Sequence, residues 1–326
     1  MDKEKLVKKE KVKQMILQVT PIIGLLVLFL VFMVLGNVMD ANIPYSLKNL
    51  LNQSVVVAII ATGAIFIYAI GSFDISLGAS CCVSALLGGM VYIHTESVLL
   101  MFLTCIGVAV LIALINSTLA SIFNLPVFVT TVAMLSVLGA ISLMLINING
   151  TGDQIAVDRN AVAGINNIVF KFVVLIVFVA ICWFIFDFTP VGRKEKYLGG
   201  NPICAKLTGI DGKKIAIIAF VLSGIGVGIG AFLSIIYAPT LTQDTASSVG
   251  MDVIIAIVFG GMPVSGGARS KIYAAVIGAF SMTLLSQIML MLNLNSGIGQ
   301  MVKAVIFIVV VFLAMSNGKN KRLLPR

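Results

Sequence analysis

His94 is the one histidine of the chain, and it stands at the expected end of an apolar run. A nucleophilic triad needs an imidazole between a hydroxyl or thiol and a carboxylate, and no such set can be built around it. Cys81, Cys82, Cys105 and Cys182 lie in apolar runs, while Cys204 lies in a basic stretch. Their spacing matches no metal motif, so small apolar packing is the expected role. Gly266-Gly267-Ala268-Arg269-Ser270-Lys271 is glycine-rich but lacks the Gly-Lys-Ser/Thr ending of a phosphate-binding loop. The expectation is no catalytic residue, no metal site and no cofactor held by this chain. Asp74, Asp187, Asp252, Lys171 and Lys303 are the ionisable groups nearest the apolar runs. Each is expected at the end of a run, where a long lysine stem can snorkel. Ion coupling ordinarily leaves ionisable groups deep inside a membrane, so this distribution points to a passive conduit powered from outside.

The elements that must position these residues are helices in lipid. Of the 326 residues, 60% are hydrophobic and 11% charged, against roughly 25% charged in soluble domains. Apolar runs long enough to cross a bilayer recur throughout, and the short alternating segments of a membrane barrel are missing. The fold class is therefore an all-α polytopic membrane protein. Spans are expected at about 15–35, 47–70, 74–93, 98–122, 127–147, 166–188, 214–236, 250–262, 271–292 and 298–316, ten in all, or eight if one pair of runs is re-entrant. The run at 250–262 is short and is either tilted or broken at Gly260-Gly261 and Pro263.

Charge orients these spans. Eighteen of the 22 Lys and Arg fall in, or directly beside, the segments assigned to the cytoplasm, which include 1–14, 189–213, 263–270 and 317–326. Asp40, Glu96, Asp153, Asp158 and Asp244 fall on the other side. Both termini are thus expected inside. The division is a basic tail 1–14, a transmembrane domain 15–316 and a basic tail 317–326. The net charge of +9 reflects this bias and not a nucleic-acid partner; the partner surface is the lipid bilayer.

Gly192 to Lys214 is the one long polar interval between the tails. Within it, Asn201 suits a helix N-cap, Pro202 the first helical position and Gly209 the stop. Ile203, Leu207 and Ile210 form one apolar stripe, to be covered by the membrane domain itself or by a docking partner. Asp74 precedes an apolar helical run, as an N-cap does, and is also placed to fix a helix break beside a pathway. Gly71–Ala79 echoes Gly260–Ala268 at four of nine positions, as internal repeats with corresponding helix breaks would. Asp74, Ser76, Gly78, Gly260, Gly261, Ser265 and Gly267 are the helix-break candidates. Asn52, Gln53, Asn116, Thr130 and Thr131, with Ser54, Ser117 and Ser136 beside them, either line a pathway or pack helix against helix. The polar segment from Asn147 to Asn166 is either a connector or a partner surface.

The series Gly192-Arg193, Gly199-Gly200-Asn201, Ala205-Lys206-Leu207-Thr208-Gly209-Ile210 and Val221-Leu222-Ser223-Gly224 resembles the permease subunits of ribose-type ABC sugar importers. Phe73-Asp74-Ile75-Ser76-Leu77-Gly78, Leu125-Pro126-Val127-Phe128-Val129-Thr130-Thr131 and Ser265-Gly266-Gly267 match in the same order, over roughly residues 45–315. The resemblance implies a type II-like importer permease in the bacterial inner membrane, working by alternating access on a monosaccharide such as ribose. It implies a second permease chain, identical or paralogous, a cytoplasmic ATPase that binds the ATP and magnesium, and an extracytoplasmic solute-binding protein. It makes the helix at about 202–209 the coupling helix, with Asn201, Pro202, Ile203, Ala205, Lys206, Leu207 and Gly209 at the ATPase contact. The family often has Glu-Glu-Ala-Ala where this chain has Pro202-Ile203-Cys204-Ala205, so docking here would rest on the apolar stripe and Lys206. A nucleoside or other small solute is the alternative cargo, and a stand-alone secondary transporter the alternative class.

Overall fold

The computed structural model describes residues 3–149, 153–243, 245–246 and 248–319. The expected outer residues Gly150, Thr151, Gly152 and Asp244, and the tail from 320 onward, lie outside them. Thirteen helices and one two-stranded ribbon follow in order: α1 Lys3–Val38, α2 Ile43–Ala69, α3 Leu77–Thr95, α4 Val98–Ile122, α5 Val127–Asn149, β1 Ile155–Ala156, α6 Arg159–Ala163, α7 Ile168–Phe188, α8 Pro190–Gly200, α9 Pro202–Leu207, α10 Gly212–Tyr237, β2 Thr240–Leu241, α11 Val249–Phe259, α12 Ile272–Met291 and α13 Ser296–Lys319. Among the described residues, eight helices are long and apolar enough to cross a membrane. All ten expected spans are helical, and the chain is a polytopic helical membrane protein.

Helix α2 is the axis. From Ser54 to Ala69 every residue is buried, so α2 touches protein on all sides where the outer helices leave one face for lipid. Its closest neighbour is α10, whose glycines alternate between two partners. Side chains at Gly226 and Gly230 would meet Ile59, Gly63 and Ile60 of α2; side chains at Gly224 and Gly228 would meet α4 at Val110, Ala113 and Ile106. Without a hydrophobic driving force between helices in lipid, such close backbone approach is what holds them together.

The short run at 250–262 has a physical explanation. Helix α11 has 11 residues, about 16 Å at 1.5 Å per residue, half of what a crossing needs. The chain leaves α10 and pairs β2 with β1 in antiparallel register, Ile155 opposite Leu241, and the described residues between β2 and α11 are not helical. The Cys82 thiol reaches the carbonyl oxygens of Thr242 and Gln243, and a side chain at Gly78 would strike Ala246 and Gly250. Helix α11 therefore begins inside the bundle, against the first turns of α3. The polar segment before α6 is partly accounted for by the ribbon, since Val157 N–H also donates to the Pro239 carbonyl.

One end of the bundle, here the basic end, carries the α2–α3 turn, α8, α9 and the α11–α12 turn. The central polar interval forms more helix than expected: α8 starts at Pro190, capped by Thr189 Oγ1 accepting from Val191 N–H.

Candidate functional site

At the basic end three glycine-bearing segments meet backbone to backbone. Gly267 N–H donates to the Ala69 carbonyl at 2.9 Å. A side chain at Gly199 would overlap the same carbonyl, one at Gly266 would strike Tyr68, Ala69 and Gly71, and one at Gly267 would meet Gly199 and Gly200. Gly71, Gly261, Gly266 and Gly267 have positive φ, a region glycine enters without steric cost. The end of α2, the end of α8 and the α11–α12 turn are thereby clamped into one knot. The two echoing stretches are spatial neighbours in it, with Ser265 against Gly71.

Helix α9 projects from this knot. Asn201 Oδ1 accepts from Ile203 and Cys204 N–H, Pro202 occupies the first turn, and Gly209 at φ +81° ends the segment. Ala205 faces inward and is buried. Ile203 and Leu207 are 74% and 82% exposed, so the membrane domain leaves these two members of the apolar stripe uncovered, while Ile210 is half-buried. Lys206 is exposed beside them.

Glu195, one turn before Gly199 on α8, is fully buried, and neither carboxylate oxygen has a hydrogen-bond partner among the described residues. Burial pushes its carboxyl up to about 9, with Lys196 pulling weakly the other way. It is held as the neutral acid near neutral pH.

Asp74 is buried in the α2–α3 turn. Its Oδ1 accepts from the N–H and hydroxyl of Ser76, whose Oγ in turn accepts from Asn116 Nδ2 of α4 at 3.0 Å. The cap position of α3 belongs to Ser76, so the expected N-cap role of Asp74 is corrected: it braces the residue before the helix and ties the turn to α4. Thr131 Oγ1 accepts from Ile75 N–H at 3.4 Å.

Toward the opposite end a cavity of about 450 Å³ opens between α2, α10, α11, α12 and α13, within the roughly 300–1,000 Å³ of small-molecule sites. Gln53, Tyr237, Thr245 and Ser286 line it, together with Asp252 and Lys303. Lys303 Nζ donates to Asp252 Oδ1 at 2.6 Å, both side chains being buried. Gln287 Nε2 donates to Gln53 Oε1 at 3.1 Å. Behind this wall, Lys171 is 2% exposed and donates to Asn52 and Asn166. Among the described residues no group of three or more His, Cys, Asp or Glu converges as a metal would require.

The family described as "Branched-chain amino acid transport system / permease component" matches residues 46–314, from within α2 to within α13. The chain belongs to this permease family. Among its relatives, the probable ABC transporter permease protein YphD of Escherichia coli K12 is 30% identical over 62% of either chain. The ribose import permease RbsC of Haemophilus influenzae is 28% identical over 85% of this chain and 87% of its own. RbsC of Bacillus subtilis is 27% identical over 90% of this chain and 91% of its own. No solved structure matches.

Of the five pathway-lining candidates in this permease, only Gln53 reaches the cavity. Asn52 holds Lys171, Asn116 holds Ser76, and Thr130 Oγ1 donates to the Val127 carbonyl of its own helix. The helix-break candidates are spread over several contacts. Ser265 and Gly267 join the knot, Gly261 packs near Pro21 of α1, and Gly260 lets α11 touch Ala274 of α12, while Gly78 meets the start of α11. Lys171 and Asp252 do stand in the first turns of their helices, but the expectation that Lys171 and Lys303 snorkel is corrected: both are buried and hydrogen-bonded. The signal was present in the sequence. Asp252 and Lys303 each lie within or at the edge of an apolar run, and an ionisable residue there implies a partner.

Proposed function

We propose that this chain is the membrane-spanning subunit of an ATP-driven importer of a monosaccharide such as ribose. The observation that carries the reading is the uncovered stripe of Ile203 and Leu207 on a capped helix fixed to the bundle by backbone packing. Exposed apolar groups on a rigid projection fit a docking surface, and a stand-alone transporter has no use for one. The partner is the cytoplasmic ATPase, which supplies ATP and magnesium chemistry. A second permease chain and an extracytoplasmic binding protein complete the assembly. The orientation that fits puts both termini and the basic end in the cytoplasm, with ten membrane-entering segments, of which α11 reaches only part way.

The mechanism is alternating access. Two helices run from the knot to the cavity: α2, about 40 Å long at 1.5 Å per residue, carries Gln53 in the half away from the knot, and α11 carries Asp252 in its first turn, likewise at the end away from the knot. Displacement of α9 by the closing ATPase moves the knot, and the knot moves both helices as rigid levers. The cavity is the outward-facing chamber that receives cargo from the binding protein. Sugar as cargo is favoured by the ribose permeases to which the chain is similar over most of its length. Amides, hydroxyls and a neutralised ion pair, set among apolar residues such as Val56, Val57, Val249, Met289 and Leu290, suit an uncharged solute with hydroxyls on an apolar ring.

The test is a mild-detergent pull-down of the tagged chain from its native membrane. Recovery of an ATPase and a binding protein, with the ATPase lost in the Ile203→Arg/Leu207→Arg variant, is expected. Recovery of the chain alone would overturn the importer reading.

A further inference from the structure

Resting on the chamber reading above, we infer that the Asp252–Lys303 pair is the chamber's sugar-recognising element, which holds a neutral polyol and rejects charged solutes. The pair lies on the wall of the cavity, with its atoms 2.6 Å apart. One carboxylate and one ammonium side by side offer acceptors and donors within the spacing of adjacent hydroxyls. Asp252 has a second oxygen and further lone pairs to receive hydroxyl protons, and the Lys303 ammonium has two more N–H bonds to give. Hydrogen bonds to charged groups are the stronger kind, yet the pair is neutral overall and attracts no net charge. A zwitterionic amino acid would need an unpaired cation and an unpaired anion. Among the described lining residues Asp252 and Lys303 are the charged groups, and each is committed to the other. Gln53 and Ser286 add uncharged donors and acceptors around the pair.

The alternative is that the pair only fastens α13, which packs chiefly against α11. Two kinds of variant separate these. Asp252→Leu with Lys303→Met removes both charges together, which buried pairs often tolerate without loss of fold. Asp252→Asn keeps the shape and a hydrogen bond to Lys303 but loses the charge. The full-length chain, in lipid nanodiscs, is dialysed to equilibrium against radiolabelled D-ribose, D-fructose and L-leucine, with thermal unfolding followed in parallel. The wild type is expected to bind at least one of the sugars and not leucine. The double variant is expected to unfold close to the wild type, and Asp252→Asn, which leaves the Lys303 ammonium without its counter-ion, to unfold earlier but still cooperatively; in both, sugar affinity falls about tenfold or more at temperatures where the variant is folded, the worth of one charged hydrogen bond. Folded variants that bind sugar as well as the wild type would overturn the inference and leave the chamber reading standing. A wild type that binds no sugar, or binds leucine in preference, would overturn both. If the double variant does not fold, Asp252→Asn alone decides.

Discussion

The α-carbon of Gly199 lies so close to the carbonyl oxygen of Ala69 that a methyl group placed on it would overlap that oxygen. A side chain on the next residue, Gly200, would meet only open space. Two adjacent glycines at the end of one helix thus have opposite reasons to exist. The first permits contact between α8 and α2, and the second leaves room for nothing in particular.

Gly199→Ala should destabilise the protein by about 1–3 kcal/mol, the usual cost of overpacking, and reduce uptake further than stability alone explains. Gly200→Ala should stay within about 0.5 kcal/mol of wild type. Thermal unfolding of the purified chain measures both, and equal effects would remove the knot from the coupling route.

The Ile203→Arg/Leu207→Arg variant should unfold within about 0.5 kcal/mol of wild type, because both side chains are already in solvent. ATP-driven uptake should be lost. Wild-type uptake by this variant would refute the docking role of α9.

Glu195 predicts a pH dependence. Its carboxyl rises from 4.5 to about 9 on folding, so between those values the folded state binds more protons than the unfolded chain. Stability should therefore be greatest below about pH 4.5 for this group, fall as pH rises, and level off above about 9. Glu195→Gln should flatten that slope between pH 6 and 8, roughly the physiological window. Melting curves at several pH values check this; an unchanged slope in the variant would show that the carboxyl finds a partner in the membrane.

Lys303→Met alone should be worse than the loss of both charges. It leaves Asp252 buried without its counter-ion, at a cost of about 3–5 kcal/mol, whereas the double replacement should recover most of it. Equal stability of the single and double variants, measured by thermal unfolding, would mean that water reaches Asp252.

A membrane-impermeant amine reagent added outside intact cells should spare Lys194, and a thiol reagent should label Asp153→Cys. Both positions are exposed at the protein surface, so the pattern reports sidedness and not burial. The reverse pattern would invert the assigned orientation.

Much of the helical framework was legible because lipid forces each span to satisfy its own backbone. That requirement writes itself as long apolar runs, and runs such as 98–122 agree with α4 to the residue. The short helix α9 was legible for a local reason, since Asn201, Pro202 and Gly209 spell its start and stop. Helix α8 was not, because its charged residues conceal a helix whose fully buried residues are Gly192 and Glu195. The cavity was illegible for a different reason. Polar residues in apolar runs are equally suited to lining a space and to bonding a neighbour, and the choice between Gln53 and Asn52, adjacent in sequence, depends on the helix rotation. Buried Lys171 made that choice by occupying Asn52.

The non-helical entry of the chain between β2 and α11 has a consequence for biogenesis. The Thr242 carbonyl accepts from Thr245 N–H within its own turn, and the Gln243 carbonyl, which lipid cannot satisfy, is met by the thiol of Cys82 on α3. Such a stretch cannot partition into the bilayer on its own merits as α4 or α7 can. It must wait until α3 stands in place to receive it. The newly made permease should therefore pass through a stage with its long helices inserted and α11 still at the surface, and the chamber should come into being only as the last act of assembly.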